Sequence, residues 1–334
     1  MRWSDLSLEF RCSTVAALAR HLHKNPPWEF EVWGVTSIGF GWRVHEREAG
    51  RISRRSPVLV LVVPRKLPPE LLAPGQKISR SLNVRRVING VEVALKVPID
   101  VCRRGSAARA HSPRLTPQIA GGSRYGTACV ILEDEEGRRW ILSCHHVIGD
   151  SNINPSLEPN TAVGLTVGNN IQLGVGRRFG PLSAGARDCV DAALARIVSK
   201  HPVGTDVWSF YPSGYPDSFG YWSEARAEAK LFCTGLVVPL RFLRVEFDRQ
   251  VRYLGGGRAY IREVAIFEVT RAGSRPAGGD SGAPVVSVNG QWLGMYIGGG
   301  LMTIDGAQRR MAVVIPPRVI LEEPSLGATL ELSE

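Results

Sequence analysis

A serine in a glycine-rich turn is the residue of this sequence best suited to covalent chemistry. Ser281 lies in "GGDSGAPVV", residues 278–286. A serine hydroxyl is a weak nucleophile at neutral pH, so it needs an imidazole to take its proton and a carboxylate to orient that imidazole. Backbone N–H groups must also stabilise the oxyanion that forms. Ser281 is therefore a candidate nucleophile only if the chain also supplies a histidine and an acid.

Both partners occur upstream, each at the end of an apolar segment. "WILSCHHVIGD" (140–150) places His145 and His146 after one apolar run, and "DCVDAALARIV" (188–198) places Asp191 at the start of another. Residues at the ends of strands can converge from distant parts of a β-protein. Asp188 is an alternative orienting acid, although it stands before the apolar run and not at its first inward position.

These segments resemble the chymotrypsin-like (trypsin-fold) serine proteases, especially intracellular, disulfide-free members of bacterial type. "ILSCHHV" resembles the family's histidine strand, "VDAALARI" its aspartate segment and "GGDSGAPVV" its serine turn. "LGMYIGGG" (293–300) resembles the strand that lines the specificity pocket. The resemblance covers roughly residues 117–322, and the order His, Asp, Ser along the chain strengthens it.

The resemblance implies a role for each matching residue. Ser281 would be the nucleophile, His146 the general base and Asp191 the acid that orients it. His146 is preferred to His145 because the family's histidine precedes an apolar residue, here Val147. Two further sets of residues follow from the same motifs: an oxyanion hole formed by the amides of Gly279 and Ser281, and a substrate pocket at Gly298 and Gly299.

Two positions depart from the family pattern. Arg275 stands six residues before Ser281, where the family often places the base of its pocket. A guanidinium there would either pair with an acidic substrate side chain, which predicts cleavage after Asp or Glu, or point into solvent. In secreted relatives the residue matching Asp280 pairs with a newly cut N-terminus. "PQIAGGS" (117–123) only faintly resembles such a terminus at Ile119, so we expect Asp280 to have an internal partner.

Metal and cofactor chemistry is not expected. Cys144, His145 and His146 form a possible ligand cluster, but adjacent strand residues point to opposite faces. The six cysteines, at 12, 102, 129, 144, 189 and 233, include no pair at metal-ligand spacing. They are therefore expected to be free thiols in a reducing compartment.

Charge and apolar content favour a multidomain protein that stays in the cytoplasm. The 334 residues are 44% apolar, enough for two or three domains, and no apolar run reaches membrane-spanning length. The first residues lack the apolar core of a secretory signal.

The net charge is +10, and residues 1–110 hold 19 basic against 9 acidic residues, so the whole excess lies there. That excess predicts either a basic solvated face or a docking surface for an acidic partner.

The spacing of apolar runs and turns predicts two parts of different class. Residues 1–110 contain a helical segment, with Ser13 as a plausible N-cap and Pro26–Pro27 as its stop, followed by three strand-like runs. This indicates a small α/β (α+β) domain. Residues 103–125 have the composition of a linker. Beyond it, many short strand-like runs separated by turns predict a mainly β fold, which the resemblance specifies as a double β-barrel over 111–334.

Together these features predict a serine endopeptidase that cleaves protein substrates through an acyl-enzyme and is regulated or narrowly specific. A regulatory protein would dock on the N-terminal domain. The alternative is a catalytically silent binding or scaffold protein that engages an acidic partner or nucleic acid through residues 1–110. Reaction of Ser281 with a serine-directed probe distinguishes the two.

Overall fold

The computed structural model describes most of the chain as two compact units. The described residues are 2–45, 51–65, 72, 75, 77–88, 90–103, 108–109, 118–121, 124–149, 166–167, 171–198, 212–216, 228–233, 236–253, 256–271, 275–304, 307–327 and 329–333. The first unit comprises Met1–Ser106 with Leu243–Phe247 and Met302–Arg309, and the second comprises Ala107–Phe242, Asp248–Leu301 and Arg310–Glu334.

The first unit packs a helix on a mixed sheet. Its elements are a short 3₁₀ turn at Trp3–Asp5, α1 (Leu8–Lys24), α2 (Glu29–Val32), β1 (Ser37–His45), β2 (Arg51–Val63), β3 (Ser81–Ile88) and β4 (Val91–Arg103). Strand β4 pairs antiparallel with β3 and parallel with β2, and β2 pairs antiparallel with β1. The segment Leu243–Phe247 adds to the other edge of β1. Helix α1 contacts β1 and β2 with the face that carries Cys12, Val15, Ala19 and Leu22.

The start of α1 differs from the prediction. The side chain of Ser7, not that of Ser13, caps the helix by accepting a hydrogen bond from the amide of Phe10 at 3.1 Å. Ser13 lies within the first turns, where its hydroxyl donates back to the carbonyl of Phe10. Both serines precede helix-compatible residues, so the sequence pattern alone did not distinguish them.

The second unit is built almost entirely of strands. Its elements are β5 (Ala108–Arg109), β6 (Gln118–Gly121), β7 (Arg124–Thr127), β8 (Ile131–Glu133), β9 (Arg139–Ser143), α3 (His145–Ile148), β10 (Thr166–Val167), β11 (Ile171–Phe179), β12 (Ala193–Ile197), β13 (Glu228–Cys233), β14 (Leu236–Arg252), β15 (Arg258–Val269), β16 (Pro284–Ser287), β17 (Trp292–Ile304), β18 (Ala307–Ile315), α4 (Pro317–Leu321), a 3₁₀ turn at Pro324–Leu326 and β19 (Glu331–Leu332). Strands β6 and β7 lie in the stretch predicted to be a linker, so that prediction was wrong there.

These strands form a barrel and a second sheet. Six strands follow the order β13–β16–β17–β18–β15–β14, and β14 also pairs with β13, which closes the ring. Eight further strands form an antiparallel sheet in the order β19–β8–β9–β12–β11–β10–β6–β7. Trp292, Tyr296 and Phe267 are among the largest fully buried side chains. The predicted mainly β fold with a small helix-containing N-terminal part is confirmed.

No helix among the described residues combines the length and the apolar character that crossing a membrane requires.

Candidate active site

His146 and Asp191 form a buried pair. Strand β9 ends at Ser143, and the chain turns directly into the short helix α3, which carries His146. The His146 ring Nδ1 lies 2.7 Å from Asp191 Oδ2, and the His146 amide donates to Asp191 Oδ1 at 3.1 Å. These two contacts fix both the ring and its backbone against one carboxylate. Both side chains are almost completely buried.

Backbone hydrogen bonds to β15 hold the loop that carries Asp191. The amide of Cys189 donates to the carbonyl of Tyr260, and the amide of Arg262 donates to the carbonyl of Cys189. Burial alone would raise the pKa of Asp191, but the charge and hydrogen bonds of His146 outweigh burial and hold that pKa below its usual value. The carboxylate is therefore ionised at neutral pH.

The alternative acid, Asp188, lies in a different environment. It is exposed, has a φ of 57° and pairs with Arg262, whose Nε lies 2.6 Å from its Oδ1. The structure therefore brings Asp191, and not Asp188, to His146.

Ser281 lies on a tight turn braced on both sides. The amide of Gly282 donates to the carbonyl of Tyr296 at 2.7 Å, and the amide of Tyr296 donates to the carbonyl of Ala283. On the other side, the amide of Thr127 donates to the carbonyl of Ser281 at 2.8 Å. Gly282 has a φ of +98°, and a Cβ there would lie 1.9 Å from the Thr127 carbonyl oxygen. Only glycine fits this position without a backbone shift.

The segment that carries His146 also holds the serine turn. The Ser143 hydroxyl donates to the same Thr127 carbonyl oxygen at 2.7 Å. The Cys144 thiol donates to the carbonyl of Tyr296, with Sγ and O 3.5 Å apart. The Thr127 hydroxyl reaches the carbonyl of Gly279 at 2.7 Å. Residues of the eight-stranded sheet and of the segment after β9 therefore hold the serine turn through several hydrogen bonds.

Ser281 and His146 are not hydrogen-bonded to each other. The Ser281 hydroxyl is fully buried and donates to the carbonyl of Ile297, 3.5 Å away. His146 Nε2 is buried and makes no hydrogen bond to any residue that the structure describes. The imidazole thus has its acid on Nδ1 and an unused acceptor or donor position on Nε2.

Asp280 has partners within the chain. Its Oδ2 accepts a hydrogen bond from the amide of Ala277 at 2.6 Å, and the Cys233 thiol also bonds to its carboxylate. Burial, together with the charge of Asp280, raises the pKa of Cys233. Ile119 is paired inside β6, opposite Gly126 and Val167. In the intact chain, Asp280 is therefore held by groups other than a chain terminus.

The residues predicted for the substrate pocket lie in contrasting surroundings. Arg275 is exposed, and Gly298 and Gly299 are buried on β17. Gly299 pairs with Arg109 of β5. A Cβ on Gly299 would lie 2.7 Å from the carbonyl oxygen of Met311 and 2.9 Å from the hydroxyl of Tyr296. The space beside Gly299 is thus filled by these two atoms. Gly279, predicted for the oxyanion hole, is buried on the serine turn with a φ of 97°.

Two neighbours of the pair received no specific role from the sequence. The Tyr253 hydroxyl donates to Asp191 Oδ2 at 2.9 Å, and its ring meets the imidazole of His146 edge-on. His145 lies beside Phe179, with its Nδ1 2.9 Å from the carbonyl oxygen of Gly180, and burial lowers the pKa of His145. Tyr253 follows β14 in "VRYLGGG", and no local pattern marks it.

A metal ion fits this donor set poorly. The ligand atoms of Cys144, His146 and Asp191 lie within 4.8 Å of one another. Burial, together with the charge of Asp191, raises the pKa of Cys144 well above its usual value, so this group is a thiol and not a thiolate. Asp191 Oδ2 already accepts from both His146 and Tyr253. A metal would have to displace those bonds, so the geometry favours a hydrogen-bonded acid–base pair.

Comparison with known proteins adds distant structural neighbours. The protease NAPase of Nocardiopsis is 13% identical, with a TM-score of 0.41 over 68% of this chain and 100% of its own. The MamO protease domain of Magnetospirillum magneticum is 13% identical, with a TM-score of 0.31, and the match covers 60% of this chain and 87% of that domain. Kallikrein-related peptidase 10 is 14% identical, with a TM-score of 0.35, and the match covers 61% of this chain and 93% of that protein. No protein-family model and no curated protein sequence matches the chain. These similarities are too distant to assign a site.

Proposed function

We propose that this chain is a serine endopeptidase that uses Ser281, His146 and Asp191. The arrangement around His146 carries the proposal. An ionised, buried carboxylate holds its Nδ1, and its Nε2 makes no hydrogen bond to the described residues. The neighbouring Ser143 hydroxyl bonds to Thr127, whose amide in turn donates to the carbonyl of Ser281. A buried imidazole in this arrangement suits the transfer of a proton from a nearby hydroxyl.

The reaction follows from these groups. Ser281 Oγ attacks the carbonyl carbon of the scissile peptide bond while its proton passes to His146 Nε2. The amides of Gly279 and Ser281 stabilise the oxyanion, and the resulting imidazolium is stabilised by Asp191. The imidazolium then gives its proton to the leaving amine. A water molecule, deprotonated by His146, hydrolyses the acyl-enzyme and restores the Ser281 hydroxyl.

Regulated activity is part of the proposal. Ser281 is fully buried, and its hydroxyl donates to the carbonyl of Ile297, so it must turn towards Nε2 before attack. Strand β5 already pairs with Gly299, beside the predicted pocket. A substrate would have to displace these contacts. The basic excess of residues 1–110 makes an acidic protein the partner we propose for control of the enzyme.

A fluorophosphonate probe tests the proposal on the purified full chain. The serine hydroxyl displaces fluoride from phosphorus, so labelling reports an activated serine. We expect one label per wild-type chain, none on Ser281→Ala and a strongly reduced rate for His146→Ala. Ser287→Ala is the matched control, since Ser287 is also buried and lies on the next strand. Absence of labelling in wild type, or labelling that survives Ser281→Ala, contradicts the proposal.

The binding alternative makes an opposite prediction. A silent scaffold would leave Ser281 unlabelled, whereas residues 1–110 would hold an acidic protein or nucleic acid in a strongly salt-dependent way. Retention of the full chain on heparin and on an anionic protein column, measured across a salt gradient, tests the acidic partner separately from catalysis.

A further inference from the structure

We infer that Tyr253 is a positioning residue, whose phenol hydroxyl fixes the Asp191 carboxylate and through it the His146 imidazole. This inference rests on the proposed function. It adds a fourth side chain to the site, from a position that none of the three sequence motifs includes.

The hydroxyl of Tyr253 and the imidazole share one oxygen. Asp191 Oδ2 accepts from the Tyr253 hydroxyl at 2.9 Å and lies 2.7 Å from His146 Nδ1, while Oδ1 accepts from the His146 amide at 3.1 Å. Both of the other contacts come from His146 itself, so they fix the carboxylate only relative to that residue. The Tyr253 hydroxyl adds a donor from another element, which fixes the carboxylate, and with it His146, relative to the strand β14.

Tyr253 also touches the imidazole directly. The two ring centroids are 5.5 Å apart, and the ring planes meet at 65°, an edge-to-face contact. The phenol therefore contacts both the acid and the base. Removing the hydroxyl alone would keep the ring contact and lose only the bond to Asp191, which makes the two contributions separable.

The hydroxyl donates and does not accept. Asp191 is ionised, since His146 holds its pKa low, so its oxygens have no proton to give. Burial, together with the charge of Asp191, raises the pKa of Tyr253 well above its usual value, and the phenol stays protonated across the working pH range. The bond is thus a charge-assisted one from a neutral donor to a carboxylate.

Tyr253 is itself held rigidly. It follows β14, is buried, and closes a turn in which its amide donates to the carbonyl of Gly257 and its carbonyl accepts from the amide of Gly256. The next strand, β15, holds the loop before Asp191, since the amide of Tyr260 donates to the carbonyl of Ala186. The hairpin of β14 and β15 therefore sets both ends of the bond between Tyr253 and Asp191.

The other titratable groups near Asp191 do not compete with this effect. They are the buried thiols of Cys144 and Cys189, whose pKa values burial raises, and His145, whose pKa burial lowers. The thiols stay protonated and His145 stays neutral at neutral pH. These groups therefore add no charge beside Asp191 at neutral pH.

Tyr253→Phe tests the inference, with Tyr260→Phe as the matched control. Tyr260 lies on the same hairpin, and its hydroxyl accepts from Gln250 at 3.0 Å, away from Asp191. We expect Tyr253→Phe to lower the rate of fluorophosphonate labelling roughly tenfold, the loss typical of a hydrogen bond to a charged group. The acid limb of its pH–rate profile should move to higher pH, because a carboxylate that has lost a donor holds the imidazolium proton more tightly. Tyr260→Phe should change neither.

Incorporation of 3,5-difluorotyrosine at 253 gives the opposite perturbation without changing the shape of the ring. A more acidic phenol donates more strongly, so the acid limb should move to lower pH. A purely structural role would not shift the limb in opposite directions in the two variants. In an Asp191→Asn background, Tyr253→Phe should have little further effect.

The outcomes separate the two proposals. If wild type is labelled at Ser281 but neither Tyr253 variant moves the pH profile, the positioning role is wrong and the proposed function stands. If wild type is not labelled, the proposed function fails and this inference fails with it. If Tyr253→Phe does not fold, the difluorotyrosine variant alone decides: an unmoved acid limb overturns the positioning role.

Discussion

Asp191→Asn is the substitution that tests the site most directly. The carboxylate accepts from the His146 amide on one oxygen, and its other oxygen faces both His146 Nδ1 and the Tyr253 hydroxyl. An asparagine of the same shape has one acceptor and one NH₂ donor. If the NH₂ takes the Oδ1 position, it faces the backbone N–H of His146, and two donors then meet. If it takes the Oδ2 position, it opposes the Tyr253 hydroxyl and requires Nδ1 to accept, which puts the ring proton on Nε2.

In the proposed mechanism, either orientation impairs catalysis. With the proton on Nε2, the imidazole cannot take the proton of Ser281. In the other orientation, the NH₂ and the backbone N–H of His146 are two donors without an acceptor between them, and the charge that stabilises the imidazolium is gone. Loss of the correct tautomer in a triad of this kind costs on the order of 10⁴ in turnover. That factor corresponds to about 5.5 kcal/mol of activation free energy, at about 1.36 kcal/mol per tenfold.

The assay compares labelling rates of wild type, Asp191→Asn and Asp188→Asn at pH 7. Asp188 is the matched control, because it is an exposed aspartate three residues away and pairs with Arg262 instead of His146. We expect Asp188→Asn to react at nearly the wild-type rate, and circular dichroism to show that both variants are folded. An Asp191→Asn rate within threefold of wild type would refute the reasoning, and so would a larger loss in Asp188→Asn.

Three further predictions concern stability and specificity. Gly282→Ala should lower the free energy of unfolding by about 2–5 kcal/mol, because it combines an unfavourable φ with overlap against the Thr127 carbonyl; an unchanged denaturation midpoint would contradict this. Burial raises the pKa of Asp134, but hydrogen bonds from Trp140 and Arg138 outweigh it and lower that pKa, so its stabilisation is present above about pH 4 and is lost as the pH falls. Asp134→Asn should therefore be less stable at pH 7 and show a weaker loss on acidification, and parallel pH curves of melting temperature would exclude this. If Arg275 selects acidic side chains, Arg275→Glu should abolish cleavage after Asp or Glu in a peptide library, whereas wild-type cuts after Lys or Arg would dismiss the selection.

Local patterns were sufficient for the class of the fold and for naming the residues of the candidate site. Short apolar runs separated by turn residues predicted the strands of the second unit, because alternation and turn chemistry act over a few residues. The glycine pattern around Ser281 predicted a tight turn, and Gly282 indeed adopts a positive φ there. The linker-like composition of residues 103–125 was misleading, since strands as short as β6 and β7 carry too few residues to show a pattern.

What the sequence alone determined is which residue types stand at the ends of strands: an imidazole at 146, a carboxylate at 191 and a hydroxyl at 281. Only the tertiary structure decided that Asp191 rather than Asp188 faces His146, that Cys233 and the amide of Ala277 hold Asp280, and that Tyr253 reaches Asp191 from 62 residues away. The same holds for Leu243–Phe247, which joins the sheet of the first unit. The physical reason is that periodicity selects the face of a strand, whereas strand register and packing between distant segments select which side chains meet.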